Sequence, residues 1–147
     1  MCLGASFVWG ALDGTLAALV PAVQADGHVV VGEPYWRQWP VPEGIDDGGY
    51  APLRETVGRF EAHGLRVETL IASSEDDWDR YETLRWRAVE EWLAANTDDL
   101  DAPEIRRRHE TSRDDYLRWQ RDLLGWAIFA GGSPKRRGAA PAARAVS

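Results

Sequence analysis

The sequence predicts an α/β fold built on a mostly parallel sheet. Residues 28–32 (HVVVG) form a continuous apolar run without polar alternation, which is typical of a strand covered by helices on both faces. Ahead of this run, apolar residues recur at the spacing of a helix: Leu12, Leu16, Leu19, Val20 and Val23. A first strand, Met1 to Ala5, precedes that helix and ends in small residues. A strand, a helix and a strand in this order predict a parallel pair of strands.

The middle of the chain continues the alternation of helices and strands. After a turn-rich loop, residues 42–50 (PEGIDDGGY), three apolar residues at helical spacing predict a short helix: Leu53, Val57 and Phe60. Gly64 is expected to stop this helix. The partly alternating residues 65–72 (LRVETLIA) then predict another strand.

A long helix is predicted after this strand. Ser73 and Ser74 are followed three residues later by Asp76 and Asp77, which is the pattern of a reciprocal cap. We expect the helix to run to about Ala95. Adjacent acids at a helix start act as caps and as partners of the helix dipole, so we assign no metal site to them.

The last predicted elements are a helix and a strand. Asp101 and Glu104, with Pro103 in the first turn, predict the start of the helix. Its inner stripe contains six residues: Ile105, His109, Ser112, Tyr116, Trp119 and Leu123. Gly125 is expected to end the helix, and residues 126–130 (WAIFA) to form the last strand.

Length and charge limit the domain organisation and the partners. A chain of 147 residues suits one domain, residues 1–131, followed by a small-residue basic tail, 132–147, that we expect to be disordered. The net charge of −7 argues against general affinity for nucleic-acid phosphate or anionic lipid. Small-molecule or protein partners are therefore favoured.

The cysteine and histidine content excludes two further classes. A single cysteine, Cys2, cannot form an internal disulfide, and three scattered histidines lack the spacing of zinc ligands. The apolar start resembles a signal peptide, but no Lys or Arg precedes Arg37 and Asp13 interrupts the apolar run. No other apolar stretch is long enough to span a bilayer. We expect a cytoplasmic protein.

The residues after the central apolar run are the first candidates for a site. In open α/β sheets, ligands bind beyond the carboxyl ends of strands, and GEPYW (32–36) places Glu33, Tyr35 and Trp36 at such an end. An ordinary strand-to-loop turn remains the alternative, with Pro34 stopping the ladder and the rings in the core. Likewise, the eight tryptophans fit either a Trp-rich core or an aromatic pocket.

The long helix carries a polar pair on its apolar side. At about 100° per residue, Glu82 and Arg85 fall within the arc of aromatic and aliphatic residues. Charged residues occupy the other side, as a solvated face would: Asp79, Arg80, Arg87, Glu90 and Glu91. Two readings stay open for Glu82 and Arg85, which are three residues apart: a self-contained ion pair, or a pair that faces a ligand.

Four segments, in this order, resemble the second half of class I S-adenosylmethionine-dependent methyltransferases of the small-molecule type. They are CLGAS (2–6), ADGHVVVGEPYW (25–36), ASSEDDWDRYETLRWRAVEEW (72–92) and YLRWQRDLLGWAIF (116–129). The resemblance implies a partial Rossmann-like sheet of order 4-5-7-6 whose last strand is antiparallel. Helices flank this sheet, and a helical insertion precedes the last strand.

The resemblance also implies roles for individual residues. Gly4, Ala5 and Ser6 would lie near the cofactor, S-adenosylmethionine. Seven residues would contact the substrate: Pro34, Tyr35, Trp36, Trp78, Tyr81, Arg85 and Trp86. Glu33 and Glu82 are the candidate catalytic residues, and no metal is implied. Glu33 would orient a substrate group or act as a base, because burial among aromatic rings raises a carboxyl pKa.

Part of the family pattern has no counterpart in the sequence. The family binds its cofactor mainly through a glycine-rich loop after strand one and an acid after strand two, and no G-x-G segment precedes the first predicted strand. We therefore expect the chain alone to be inactive and not to bind S-adenosylmethionine. Its expected partners are a small-molecule substrate and either an N-terminal half or a second copy. The alternative is a non-catalytic module that binds a small molecule or dimerises.

Overall fold

The computed structural model describes residues 1–133, which form a four-stranded mixed sheet with helices packed against it. The strands are β1 (Cys2–Leu3), β2 (His28–Trp36), β3 (Arg66–Ala72) and β4 (Leu124–Gly132). Their order across the sheet is β1-β2-β4-β3. β1 and β2 are parallel, as predicted, and β4 runs antiparallel to both of its neighbours. The predicted α/β class is confirmed.

Five α-helices accompany the sheet in the described part of the chain. They are α1 (Leu12–Leu19), α2 (Leu53–Ala62), α3 (Glu75–Ala95), α4 (Ala102–Asp115) and the short α5 (Arg121–Leu123). A π-helical turn, Tyr116–Gln120, joins α4 to α5. The predicted cap of α3 is present: the Ser74 hydroxyl accepts from the Asp77 N–H, and the Asp77 carboxylate accepts from the Ser74 N–H. None of these helices is long and apolar enough to cross a membrane.

The core lies between α1, α2 and one face of the sheet. Val29 and Val31 of β2 and Phe129 of β4 are almost completely buried there. The ring of Phe60 from α2 lies 5.6 Å from the ring of Phe129. Because side chains alternate along a strand, the residues between these positions face the opposite side of the sheet, towards α3.

The predicted loop at residues 33–36 is wrong, because these residues form the second half of β2 and pair with β4. Pro34 does not interrupt the ladder. The carbonyl of Gly32 accepts a bond from the chain after β1, and the Trp36 N–H donates to Ala51 at 3.1 Å, both on the side of β2 away from β4. Every second residue of a strand directs its backbone groups to the same side. Pro34, between Gly32 and Trp36, therefore lacks its N–H on the side away from β4. The position lies beyond the end of β1, so no strand hydrogen bond is lost.

Four of the five charged residues predicted to be solvated on α3 are exposed, and Asp79 is the exception. Asp79 accepts hydrogen bonds from the Tyr116 hydroxyl at 2.7 Å and from two Arg121 nitrogens at 2.9 and 3.0 Å. Glu90 lies 3.2 Å from the buried His109. The chain from α4 to α5 thus packs along this face, a contact that the periodicity of α3 alone does not reveal.

The end of the helical region differs from the prediction in two places. Gly125 does not end a helix: α5 ends at Leu123, and Gly125 is already part of β4. At its other end β4 extends to Gly132, two residues beyond the predicted end of the strand at Ala130. Residues 134–147 of the predicted tail lie outside the described residues.

Candidate functional site

A cavity of about 750 Å³, called the large cavity below, lies between α3 and the sheet face opposite the core. Most of its lining comes from three parts of the chain, and Tyr50 from the turn before α2 completes it. The segment at the end of β1 contributes Leu3, Gly4, Ser6 and Phe7; α3 contributes Asp77, Trp78, Tyr81, Glu82 and Arg85; and the strands contribute Pro34, Ile71, Trp126 and Ile128. Its floor is apolar and its α3 side mixes aromatic and charged groups, as in many small-molecule sites.

The aromatic residues that α3 contributes to the large cavity, Trp78 and Tyr81, are fixed by neighbouring contacts. Trp78 donates its indole N–H to the carbonyl of Leu124 at 3.0 Å. Its ring lies 5.8 Å from that of Tyr81 and meets the Tyr116 ring edge-on at 6.5 Å. The Arg121 guanidinium and the Tyr116 hydroxyl hold the pKa of the Asp79 carboxyl below its usual value, so this anchor of α3 is ionised at neutral pH.

Glu82 and Arg85 form the ion pair that their spacing predicts, with Arg85 Nη1 3.4 Å from Glu82 Oε1. The Glu82 side chain is 6% exposed and that of Arg85 is 49% exposed. Arg85 also donates to the Ser112 hydroxyl at 3.0 Å. Because both residues line the large cavity, the two readings of the pair are compatible: it is an ion pair, and it faces the cavity.

Two glycines shape the cavity. Gly4 has φ of +64° and nothing within 4 Å of the position that a Cβ would take, so the backbone after β1 is open. Gly32, in contrast, has no room for a side chain, because a Cβ there would lie 2.4 Å from the Trp126 ring. The absence of a side chain at Gly32 lets Trp126 lie against β2 and form part of the cavity floor.

A smaller cavity of about 310 Å³ adjoins the large one and contains Glu33. Glu33 is 4% exposed, and its Oε1 has no hydrogen-bond partner. Burial raises the pKa of the Glu33 carboxyl, while the nearby Ser6 hydroxyl and the charge of Arg59 oppose this. Burial and the charge of Glu33 raise the pKa of the Tyr50 phenol, which lines the same cavity.

The structure brings together some of the predicted site residues and not others. Seven of them line the large cavity: Gly4, Ser6, Pro34, Trp78, Tyr81, Glu82 and Arg85. Ala5 is absent from both cavity linings, and Tyr35 belongs to the core. Trp36 is buried with its ring stacked 5.9 Å from Trp119. Trp86 packs against Tyr116 and lies under the Arg113 guanidinium, outside the large cavity.

Sequence reasoning missed many residues of the two linings, among them the aromatic residues Trp126 and Tyr50. Trp126 follows Gly125 at the start of β4, and the alternation of that strand would have placed its ring on the face towards α3. Tyr50 ends an Asp-Gly turn, in which Asp46 and Asp47 accept from Gly48 and Gly49, and no periodic signal marks it. Within residues 1–133, no three His, Cys, Asp or Glu side chains cluster as metal ligands would.

Replacing Glu33 by glutamine should raise the stability of the fold at neutral pH, because the amide stays a buried polar group but removes the cost of burying a charge. A carboxyl whose pKa is raised on folding is neutral in both states below its unfolded value, near 4.5. The loss of folding stability caused by the buried charge therefore appears as the pH rises through the pKa of Glu33 in the folded state. Thermal unfolding of both proteins should differ at neutral pH and converge in acid. A glutamine variant that is less stable at neutral pH would contradict this.

Comparison with known proteins agrees with this architecture. No protein-family model matches the chain. The uncharacterized protein YjhP of Escherichia coli (strain K12) is 32% identical over 136 residues, which are 88% of this chain and 55% of YjhP. Its X-ray structure matches with a TM-score of 0.83 and covers 90% of this chain and 57% of YjhP.

Two solved structures of S-adenosylmethionine-dependent methyltransferases, both in complex with S-adenosyl-L-homocysteine, are also similar. The Geobacter sulfurreducens protein has a TM-score of 0.82 at 32% identity, and the Thiobacillus denitrificans protein 0.81 at 31%. Each match covers 90% of this chain and 56% of the other. The described residues therefore have the fold of the corresponding part of these class I S-adenosylmethionine-dependent methyltransferases. The chain spans a little over half the length of these relatives, 55–57%.

Proposed function

We propose that this chain forms the acceptor side of a S-adenosylmethionine-dependent methyltransferase that modifies a small molecule. The observation that carries the proposal is the large cavity, in which the segment after β1 faces the aromatic and charged residues of α3. Its volume lies within the range of small-molecule sites, roughly 300–1,000 Å³. The similarity to two methyltransferases that bind S-adenosylhomocysteine supports the choice of cofactor.

The residues at the end of β1 fit the edge of a cofactor site. Gly4 leaves its backbone open to the cavity, and Ser6 adds a hydroxyl to the lining. When bound, S-adenosylmethionine supplies a methyl group on a positively charged sulfur. Methyl transfer then requires alignment of the acceptor with that methyl group and exclusion of water.

The residues of α3 would supply this alignment. Trp78 and Tyr81 offer aromatic faces on which a small acceptor can stack, and the indole bond to Leu124 fixes the first of them. Glu82 would accept a hydrogen bond from the acceptor. Arg85 forms an ion pair with Glu82 at the edge of the large cavity. Glu82 thus acts as the polar group that fixes the orientation of the acceptor, or as the base that takes its proton.

The 147-residue chain purified by itself should show no saturable binding of S-adenosylmethionine in calorimetry at micromolar concentrations. The reason is that Gly4 and Ser6 provide only one edge of a cofactor site, without the preorganised backbone donors of a glycine-rich loop. Tight, saturable binding by the chain alone would contradict our placement of the cofactor.

A chimera provides the positive test of the proposed function. Joined to the part of the Geobacter protein that it does not span, the chain should bind S-adenosylhomocysteine. Gly4→Ala should weaken this binding, because a Cβ there both strains the backbone and enters the cavity. Gly44→Ala is the matched control: Gly44 has φ of +86° and equally open surroundings but lines neither cavity. Equal effects of the two substitutions would overturn the assignment of Gly4.

A further inference from the structure

The smaller cavity contains a carboxylate that the fold does not satisfy. Glu33 sits in the middle of β2 with 4% of its surface exposed, and its Oε1 lacks any hydrogen-bond partner. A buried charged group without a partner is rare in folded proteins and destabilises them. The Glu33 residue lines an open space of about 310 Å³, although Oε1 itself has almost no accessible surface in this structure.

The charges around this cavity do not cancel. Glu33 and Arg59 are the two charged residues that line it. Arg59, however, pairs with Glu55 at 3.2 Å and with Asp13 at 3.8 Å, and it also donates to the carbonyl of Gly49 at 3.3 Å. Its positive charge is therefore shared among several acceptors and only partly offsets the charge of Glu33.

The remaining lining suits the apolar part of a small ligand. Phe7, Ala11, Leu12 and Pro34 give the cavity apolar walls, and Tyr50 adds an aromatic ring. The hydroxyl of Thr56 is occupied, because it donates to backbone carbonyls of Ala51 and Pro52. Ser6 and Tyr50 add hydroxyl groups, so Glu33 is the charged acceptor of a cavity with a mixed apolar and polar lining.

We propose that the smaller cavity binds the ammonium group of an amine, with Glu33 as its counter-ion. An ammonium group offers the hydrogen bonds and the positive charge that Oε1 lacks, and a charge-assisted bond of this kind is stronger than a neutral one. Neutral donors and carboxylates would bind less well, the latter because of repulsion by Glu33. In this arrangement Glu33 orients the ligand and does not remove a proton at the reacting atom.

The position of the cavity connects this inference to the acceptor. Ser6, Phe7, Pro34 and Tyr50 line both cavities, so the two cavities adjoin, and a ligand that passes between these residues would extend from one into the other. If the proposed methyltransferase function holds, on which this step rests, the acceptor is an amine whose ammonium group lies at Glu33. Its methyl-accepting atom then lies in the large cavity near Trp78 and Glu82.

Benzylammonium, benzyl alcohol and benzoate provide matched probes of similar shape. Titration of the full chain, followed by ligand-observed NMR, should show benzylammonium binding about tenfold more tightly than the alcohol, as expected for a charged against a neutral hydrogen bond. Glu33→Gln should remove this preference. Glu61→Gln, an exposed carboxyl of α2, should leave it unchanged.

A second measurement needs no variant. In the unmodified chain, benzylammonium affinity should fall as the pH is lowered through the Glu33 pKa, whereas the affinity of the alcohol should stay constant. Equal affinity for all three probes, or an unchanged preference in Glu33→Gln, would overturn the proposal. If the chimera binds the cofactor but shows no preference for the amine, the amine-site proposal is overturned. The methyltransferase proposal is then unaffected. Amine selectivity without cofactor binding by the chimera would support the amine site and favour a non-catalytic binding module.

Discussion

Trp78→Ala and Glu82→Gln should each lower methyl transfer by about 100-fold in the chimera with the Geobacter segment, the loss expected when an acceptor is misaligned. S-adenosylhomocysteine affinity should stay nearly unchanged. Both residues lie on α3, across the large cavity from Gly4 and Ser6. They are therefore placed to act on the acceptor and not on the cofactor. Turnover is measured as S-adenosylhomocysteine formed with an acceptor found by screening small amines.

Two controls separate a role in the site from a role in the fold. Glu91→Gln changes an exposed carboxyl of the same helix, whose ion pair with Arg87 is solvated on both sides, and should leave turnover unchanged. Trp78→Phe keeps an aromatic face but loses the bond to Leu124, so its turnover should lie between those of the wild type and the alanine variant. Parallel loss of turnover, cofactor affinity and thermal stability would show that α3 has lost its packing.

The local elements were predictable because each depends on neighbours in sequence. The cap at Ser74 and Asp77 and the spacing of Glu82 and Arg85 are interactions over three residues, and both are present. The path of β2 was not predictable in the same way. A proline interrupts the hydrogen bonds of a sheet only where a neighbouring strand would accept a bond from its N–H. The sequence does not show that β1 ends before it reaches Pro34 of β2.

The two cavities depend on contacts between distant segments, which explains why the site was only partly predicted. Asp79 reads as a solvated residue in α3, and becomes an anchor only because Arg121 and Tyr116, about forty residues later, pack beside it. Glu33 was identified from its chemistry, although its location was assigned to a loop. Tyr50 had no signal at all, since its position follows from the fold of the turn before it.

The purified 147-residue chain should self-associate or bind a hydrophobic dye. A cluster of apolar side chains is exposed beside β1, where Phe7 is 78% and Val8 62% exposed, and Leu3 and Trp9 add to the same patch. In the described part of the chain, β1 pairs only with β2, so its other edge is open. Contiguous apolar surface next to an unpaired edge marks a surface for association.

The substitution that tests this is Phe7→Glu combined with Val8→Glu, followed by sedimentation over a range of concentrations. Burial of such a patch contributes about 25 cal/mol per Å², enough to offset much of the entropy lost on association, and two charges remove this gain. The variant should shift to monomer and bind less dye. Leu100→Glu is the control, because Leu100 is 96% exposed between α3 and α4 and its replacement should change neither property. A wild-type chain that stays a compact monomer at high concentration and binds no dye would show that this edge needs no partner. The apolar patch would then be an ordinary part of a stable surface, and a non-catalytic module that binds a small molecule would become the better description of the chain.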